Sequence, residues 1–278
     1  MRGGMTAIEP DIAADGDCCD SILDYLARFA SLGSVAEAWA LHTDRMARYG
    51  FDRIIYSFAS LPAHVDVLED TLVLSNHPRS FLDPFLGEGR WRRPLFLGHA
   101  EATGRQAVPW RLSPDIPVTP AQRRALAFRA AHGVVAGYTI SFRNVTPQGR
   151  AGTGLCARRD LDQDAVDAIW RRHGRALLLM NMAFHLRVAT LPMPLPARSL
   201  SPRQAEVLGW ISEGKTVQDI ATILGVQPNT VDKHLRLARE ALGAQTTAQA
   251  MLKASLLNQL FRLPPPAQPG AAPRGRPG

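Results

Sequence analysis

GKTVQDIATILGVQPNTVDKHLRLARE (214–240) concentrates the residues of this chain whose types and spacing could do chemistry. It reads as two short helices meeting at Gly225-Val226-Gln227-Pro228. In the second, Val231, Leu235, Ala238 and Leu242 fall at i, i+4, i+7 and i+11, one apolar stripe. Asn229, Asp232, Lys233, Arg236 and Arg239 occupy the remaining face. Two helices joined by a tight Gly-containing turn, the second with a polar and basic outer face, have the geometry that enters a DNA major groove. Arg and Lys pair with guanine edges there, and helix N-termini favour phosphates. On periodicity alone, a helical bundle whose charged face is merely solvated fits equally well.

Bond-making chemistry finds no comparable support. The sequence has no Gly-rich phosphate loop, GxSxG elbow or nucleophile–base pairing. DLDQDA (160–165) resembles the start of a calcium loop, but Ala165 stands where the turn glycine belongs and Arg171 where the bidentate glutamate belongs. It reads instead as the acidic start of a helix. The eight histidines are scattered without ligand spacing, and Cys18, Cys19 and Cys156 make neither a disulfide framework nor a metal site. No enzyme, metal or cofactor is expected. The formal net charge of +7 permits a polyanionic partner without requiring one. The acidic N-terminus lacks an apolar signal core, and ALLLMNMAF (176–184) is too short to span a bilayer, so a cytoplasmic protein with no membrane partner is expected.

With 278 residues, 46% of them hydrophobic, the chain can build two cores. Residues 1–19 read as a disordered N-terminus. Residues 21–50 read as two helices broken at Gly33-Ser34, with Ser34 and Glu37 forming a capping box. Strands are expected over 51–59, 71–76, 134–144 and 151–159, with a Thr-Pro-Gln-Gly turn between the last two. A short helix is expected over 77–86 and a long one over 160–190, while 90–110 reads as irregular. A helix over 119–133 has Thr119 as cap, Pro120 in its first turn and Gly133 as stop. The fold class is therefore α+β, with helices layered on a mostly antiparallel sheet over 20–190 and a separate all-α four-helix domain over 200–262. A Pro-rich linker (191–199) joins them, and 263–278 reads as a disordered tail.

LSPRQAEVLGWISEGKTVQDIATILGVQPNTVDKHLRLAREALGAQTTAQAMLKASLL (200–257) resembles the DNA-binding domain of the LuxR family. Matching positions include Leu200, Pro202-Arg203, Gly214-Lys215-Thr216, Leu224-Gly225-Val226, Asn229-Thr230-Val231 and His234-Leu235. The resemblance implies that Asn229, Thr230, Asp232, Lys233, His234, Arg236 and Arg239 belong to the helix that lies along the groove. Arg236 is its best candidate for a base contact, while Lys215 and Thr216 contact phosphates. Asp232 stands where the family is often basic, and a carboxylate there can accept from cytosine N4 or disfavour wrong sites. Gln204 replaces the usual glutamate of the first helix, and Gln227 replaces a capping serine with a weaker cap. The last helix carries a surplus of apolar residues, among them Met251, Leu252, Leu256 and Leu260. The resemblance assigns that surplus to homodimerisation; packing beneath the chain's own first domain is the other possibility.

The first domain is similar to the autoinducer-binding domain of the same family, through RYGFDRIIYSF, SNHPRSF, AVPW and AFRAAHGVVAGYTISF in that order. Such domains hold an acyl-homoserine lactone between sheet and helices. The family pattern places a Trp, a Tyr and an Asp-Pro pair after Asn-x-Pro. Here Phe81, Phe85 and Arg93-Pro94 take those places; Asp83-Pro84 gives an alternative register that falls too early. Phenylalanine donates no hydrogen bond and arginine offers no acceptor. The candidate ligand contacts are therefore Tyr56, His77, Phe81, Phe85, Arg93, Trp110 and Thr139, around a small, mostly apolar signal molecule other than a standard lactone, or around none. Together these readings imply a regulator that binds double-stranded DNA as a homodimer at a two-fold-symmetric operator. The alternative is a regulator that heterodimerises with a relative and blocks it.

Overall fold

A computed structural model describes residues 18–59, 71–90, 95–112, 117–142, 150–193, 195 and 198–260. Most of the expected disordered ends (1–17 and 261–278), the turn at 146–149 and Arg93 lie outside the described residues. The chain divides into two compact units, which are taken in turn.

Helices α1 (Cys18–Ser31) and α2 (Val35–Ala47) are separated where the sequence requires it. Ser34 Oγ accepts from the Glu37 amide at 3.2 Å and Glu37 Oε2 accepts from the Ser34 amide at 3.0 Å, a reciprocal cap. Strands β1 (Arg53–Ala59) and β2 (Thr71–Ser75) follow, then α3 (Arg79–Gly87). The segment read as irregular contains α4 (Leu95–Thr103) and β3 (Ala107–Pro109). Both escape periodicity for a physical reason. In α4, Phe96, Leu97 and Ala100 are buried within nine residues, so little polar face remains to mark a helix. β3 is three residues long and ends in Pro109, which a sheet accepts on an edge strand. Helix α5 (Pro120–Ala131) starts with the Thr119–Gln122 capping box, β4 (Gly137–Ser141) and β5 (Arg150–Cys156) follow, and α6 (Gln163–Thr190) is the long helix.

The strand order is β2-β1-β5-β4-β3. β4 pairs antiparallel with β5, Gly137 opposite Cys156 through Ser141 opposite Gly152, and β3 pairs antiparallel with β4. Alternation along β1 sends Ile54, Tyr56 and Phe58 to one face and Ile55 and Ser57 to the other. Tyr56, expected on the pocket side, faces α6 instead: its hydroxyl bonds His185 Nδ1 at 2.8 Å and its ring meets Phe184 edge-on.

In the second unit, α7 (Pro202–Ser212), α8 (Val217–Leu224), α9 (Pro228–Ala241) and α10 (Thr247–Leu256) enclose a core containing Val207, Leu208, Ile220, Val231, Ala238, Leu242 and Ala254. Ser201 and Thr216 each complete a capping box. The expected linker packs on this unit rather than merely spanning a gap. Leu191, Met193 and Leu195 are buried, the Met193 amide donates to Leu257 O at 3.2 Å, and Asn258 Nδ2 donates to Ala189 O and Leu191 O.

Candidate functional site

The helix-turn-helix is built from local rules. Gly225 ends α8 in the left-handed region at φ 63°, which a residue without Cβ enters at least cost, and the Val226 amide returns to Ala221 O at 3.0 Å. Pro228 opens α9; Gln227 before it makes no side-chain cap bond, as its residue type leads one to expect. Val231, Leu235, Ala238 and Leu242 are buried, which fixes the rotation of α9 about its axis. Asn229, Asp232, Lys233 and Arg236 are thereby exposed, with Thr230, His234 and Arg239 half-buried along the flank.

Two basic residues have local partners. Arg236 Nη1 contacts Glu240 Oε1 at 2.6 Å, one turn on, with both side chains more than half exposed. Arg239 Nη1 donates to Thr247 Oγ1 at 3.1 Å, tying α9 to the start of α10. At the start of α8, the Thr216 hydroxyl accepts from the Asp219 amide; the Asp219 carboxylate accepts from that hydroxyl and from the Thr216 amide, and these two bonds hold its pKa below its ordinary value. The Thr216 hydroxyl is thus engaged in the cap, whereas the neighbouring Lys215 is exposed. On α10, Leu252 is 62% exposed, Met251 and Leu256 are half-buried, and Ala250 and Ala254 are buried with Leu257 just past the helix end; Leu260, expected on the same helix, lies four residues beyond it and is half-buried.

In the first unit, a cavity of about 130 Å³ lies between the sheet and α3, α4 and α5. Of the residues expected there, His77, Phe81, Phe85, Trp110 and Thr139 line it. Tyr56 does not, for the reason given above. Asp83, the alternative register, is turned outward on α3 and pairs with Arg79 at 3.4 Å. Phe81 stacks on Phe85 with centroids 5.3 Å apart and on His77 at 4.6 Å. Trp110 Nε1 donates to Thr139 Oγ1 at 2.8 Å, so that hydroxyl accepts this hydrogen bond and keeps its own O–H to donate. Gly137 makes this arrangement possible: a Cβ there would lie 2.1 Å from Leu155 O and 2.8 Å from the Trp110 ring.

Among the lining residues that sequence reasoning missed are Phe96, Arg90 and Arg129. Arg129 Cζ stands 3.9 Å from the Trp110 ring centroid and 5.4 Å from that of Phe96. Arg90 lies over Phe128 at 4.5 Å and pairs with Glu88. Nothing in AQRRALAFRAA distinguishes Arg129 from Arg123 and Arg124, which are exposed. Its role depends on where Trp110 falls in space.

Among the described residues, no helix is long and apolar enough to cross a membrane. Residues 34–188 match the Autoinducer binding domain family, and residues 198–254 match the bacterial regulatory proteins of the luxR family. The HTH-type quorum sensing-dependent transcriptional regulator RpaR of Rhodopseudomonas palustris is 30% identical over 211 residues, covering 75% of this chain and 82% of RpaR. The crystal structure of Escherichia coli SdiA has a TM-score of 0.50 at 17% identity, over 87% of this chain and 99% of that one. A structure of SdiA in complex with octanoyl-rac-glycerol gives a TM-score of 0.52 at 18% identity, over 90% and 100% of the two chains. These structures share the fold of both parts. The chain belongs to the LuxR family: it is a quorum-sensing transcriptional regulator that joins an autoinducer-binding domain to a C-terminal helix-turn-helix DNA-binding domain.

Proposed function

We propose that this regulator reads a two-fold-symmetric operator as a homodimer, under the control of a small molecule other than a standard acyl-homoserine lactone, or of none. The observation that carries the ligand half is the stacked pair Phe81–Phe85 in the cavity wall. Rings at these positions pack on a ligand but supply no donor to its carbonyls. A thermal-shift titration with octanoyl-homoserine lactone tests this: no stabilisation at micromolar concentration is expected, and stabilisation at nanomolar concentration overturns it.

The DNA half rests on the exposed basic face of α9. Arg236→Ala is expected to lose about 1–3 kcal/mol of operator affinity and to relax one base position, as removal of a bidentate base contact does. Lys215→Ala is expected to weaken all sequences alike and to flatten the salt dependence by about one counterion. Binding of a selected operator by both variants at wild-type strength contradicts this docking. The apolar surplus of α10, above all exposed Leu252, supports a dimer contact. Recovery as a heterodimer that binds no operator alone replaces the homodimer reading with that of an inhibitor of a related regulator. A DNA-binding role supports the reading of a cytoplasmic protein.

A further inference from the structure

We propose that the cavity of the first unit is a site for a small organic anion, a carboxylate carried on an apolar or aromatic body, with Arg129 as its counter-charge and His77 as its second polar contact. This rests on the reading that the domain senses a molecule other than a standard lactone, and it assigns that molecule a charge.

Arg129 is brought into the cavity by α5, with its guanidinium over the Trp110 and Phe96 rings. Among the described residues it forms no ion pair, and no carboxylate is found in the described lining of the cavity. A guanidinium in that position is desolvated, and the ring faces return only part of what hydration gave it. Burial draws its pKa down to about 10, which leaves it charged at neutral pH. Arg90, the other lining cation, differs because Glu88 already pairs with it. The second polar contact is also unmet. His77 is buried, and its Nδ1 has no hydrogen-bond partner. Burial, followed by the charges of Arg53 and Arg129, lowers its pKa to about 4, so the ring is neutral and can present Nδ1–H as a donor.

A carboxylate suits this pair because it accepts only, and charge-assisted bonds from a guanidinium are among the stronger hydrogen bonds a site can make. Phosphate suits it less well. A dianion meets one unpaired cation and one neutral ring, and the surrounding wall of Phe81, Phe96 and Trp110 offers its other oxygens little. Size narrows the body of the ligand. A cavity of about 130 Å³ is close to the roughly 150 Å³ apolar cavity that accepts benzene, so one ring or a short alkyl chain fits. The aromatic wall and Thr139 would hold that body beneath the charged end.

The experiment uses the full chain and three acids, benzoate, phenylacetate and hexanoate, each against its neutral amide, with octanoyl-homoserine lactone as a further ligand. Calorimetry and the thermal midpoint are read for the wild type, Arg129→Gln and Arg129→Met. At least one acid is expected to bind about tenfold more tightly than its amide. Arg129→Gln should bring that pair to near equality, mainly by weakening the acid. Arg129→Met without ligand should raise the midpoint, because it removes a half-buried charge with no anionic partner among the described residues, whereas loss of a packing residue would lower it. Acid and amide binding equally well overturns the anion assignment and leaves the sensor reading intact. No binding of any acid, with a lowered midpoint for Arg129→Met, overturns it as well and makes Arg129 a packing residue. Tight binding of the lactone in preference to the acids overturns both readings.

Discussion

Moving the protein from about pH 7.5 to about pH 5.5 is expected to lower its unfolding free energy by about 4 kcal/mol, read from urea midpoints at constant slope. Three buried histidines are responsible. His42 is held between the Tyr25 hydroxyl, 2.8 Å from Nδ1, and Asn181 Oδ1, 3.2 Å from Nε2, with the Phe184 ring stacked on it, and burial pushes its pKa down to about 3. His185 meets the Tyr56 hydroxyl and stacks on Phe142, and burial lowers it to about 4. His77 reaches about 4 through burial and the charges of Arg53 and Arg129. In the unfolded chain each titrates near 6.5. Unfolding therefore takes up protons whenever the pH lies between the two values. The stability is fully present above about pH 6.5 and declines as the pH falls toward the folded values. Each histidine contributes about 1.4 kcal/mol per pH unit in that window, so three give about 4 kcal/mol at one unit below 6.5. The carboxylates lowered by capping, Glu37 and Asp219, lose their contribution only at lower pH and leave this window clear. A urea midpoint that does not move over these two units contradicts the assignment of neutral, buried rings.

Gly137→Ala is expected to destabilise by about 3 kcal/mol or more, the upper end of overpacking, because the first atom it meets is backbone. Leu155 O belongs to the strand paired with β4 and cannot move without opening that ladder, and the Trp110 ring closes the other side. Displacing Trp110 also withdraws the donor to Thr139 and the ring beneath Arg129, so ligand binding should fall with stability. Gly209→Ala in α7 provides the contrast. Nothing lies within 4 Å of its added methyl, so it should gain about 0.5–1 kcal/mol from helix propensity. Comparable thermal midpoints for the two variants would show that the close approach at Gly137 is absorbed elsewhere.

The helix-turn-helix was legible in sequence because short-range rules specify it. Ser201, Thr216, Gly225 and Pro228 mark its boundaries by capping chemistry, and the spacing of Val231, Leu235, Ala238 and Leu242 sets which residues of α9 face outward. The first unit was legible at the level of elements and less so at the level of faces. β1 was expected as a strand, but whether Tyr56 or Ile55 faces the cavity depends on which side α6 covers, and period-2 alternation is silent on that. Arg129 was hidden for a related reason. A helix bearing several arginines does not say which one an aromatic residue from β3's end will receive, and that contact joins positions 19 residues apart through the sheet.

The pairing of Arg236 with Glu240 has a consequence for how operator search responds to ionic strength. In the docking proposed above, Glu240 would act as a resident counterion: the guanidinium would exchange one carboxylate for a base edge, with little release of ions from bulk solution. Arg236 should thus contribute to discrimination between sequences without adding to the salt-sensitive attraction that holds the protein to any duplex. On the same proposal that attraction would fall to exposed lysines such as Lys215 and Lys233, so the two contributions could be tuned separately within one short motif.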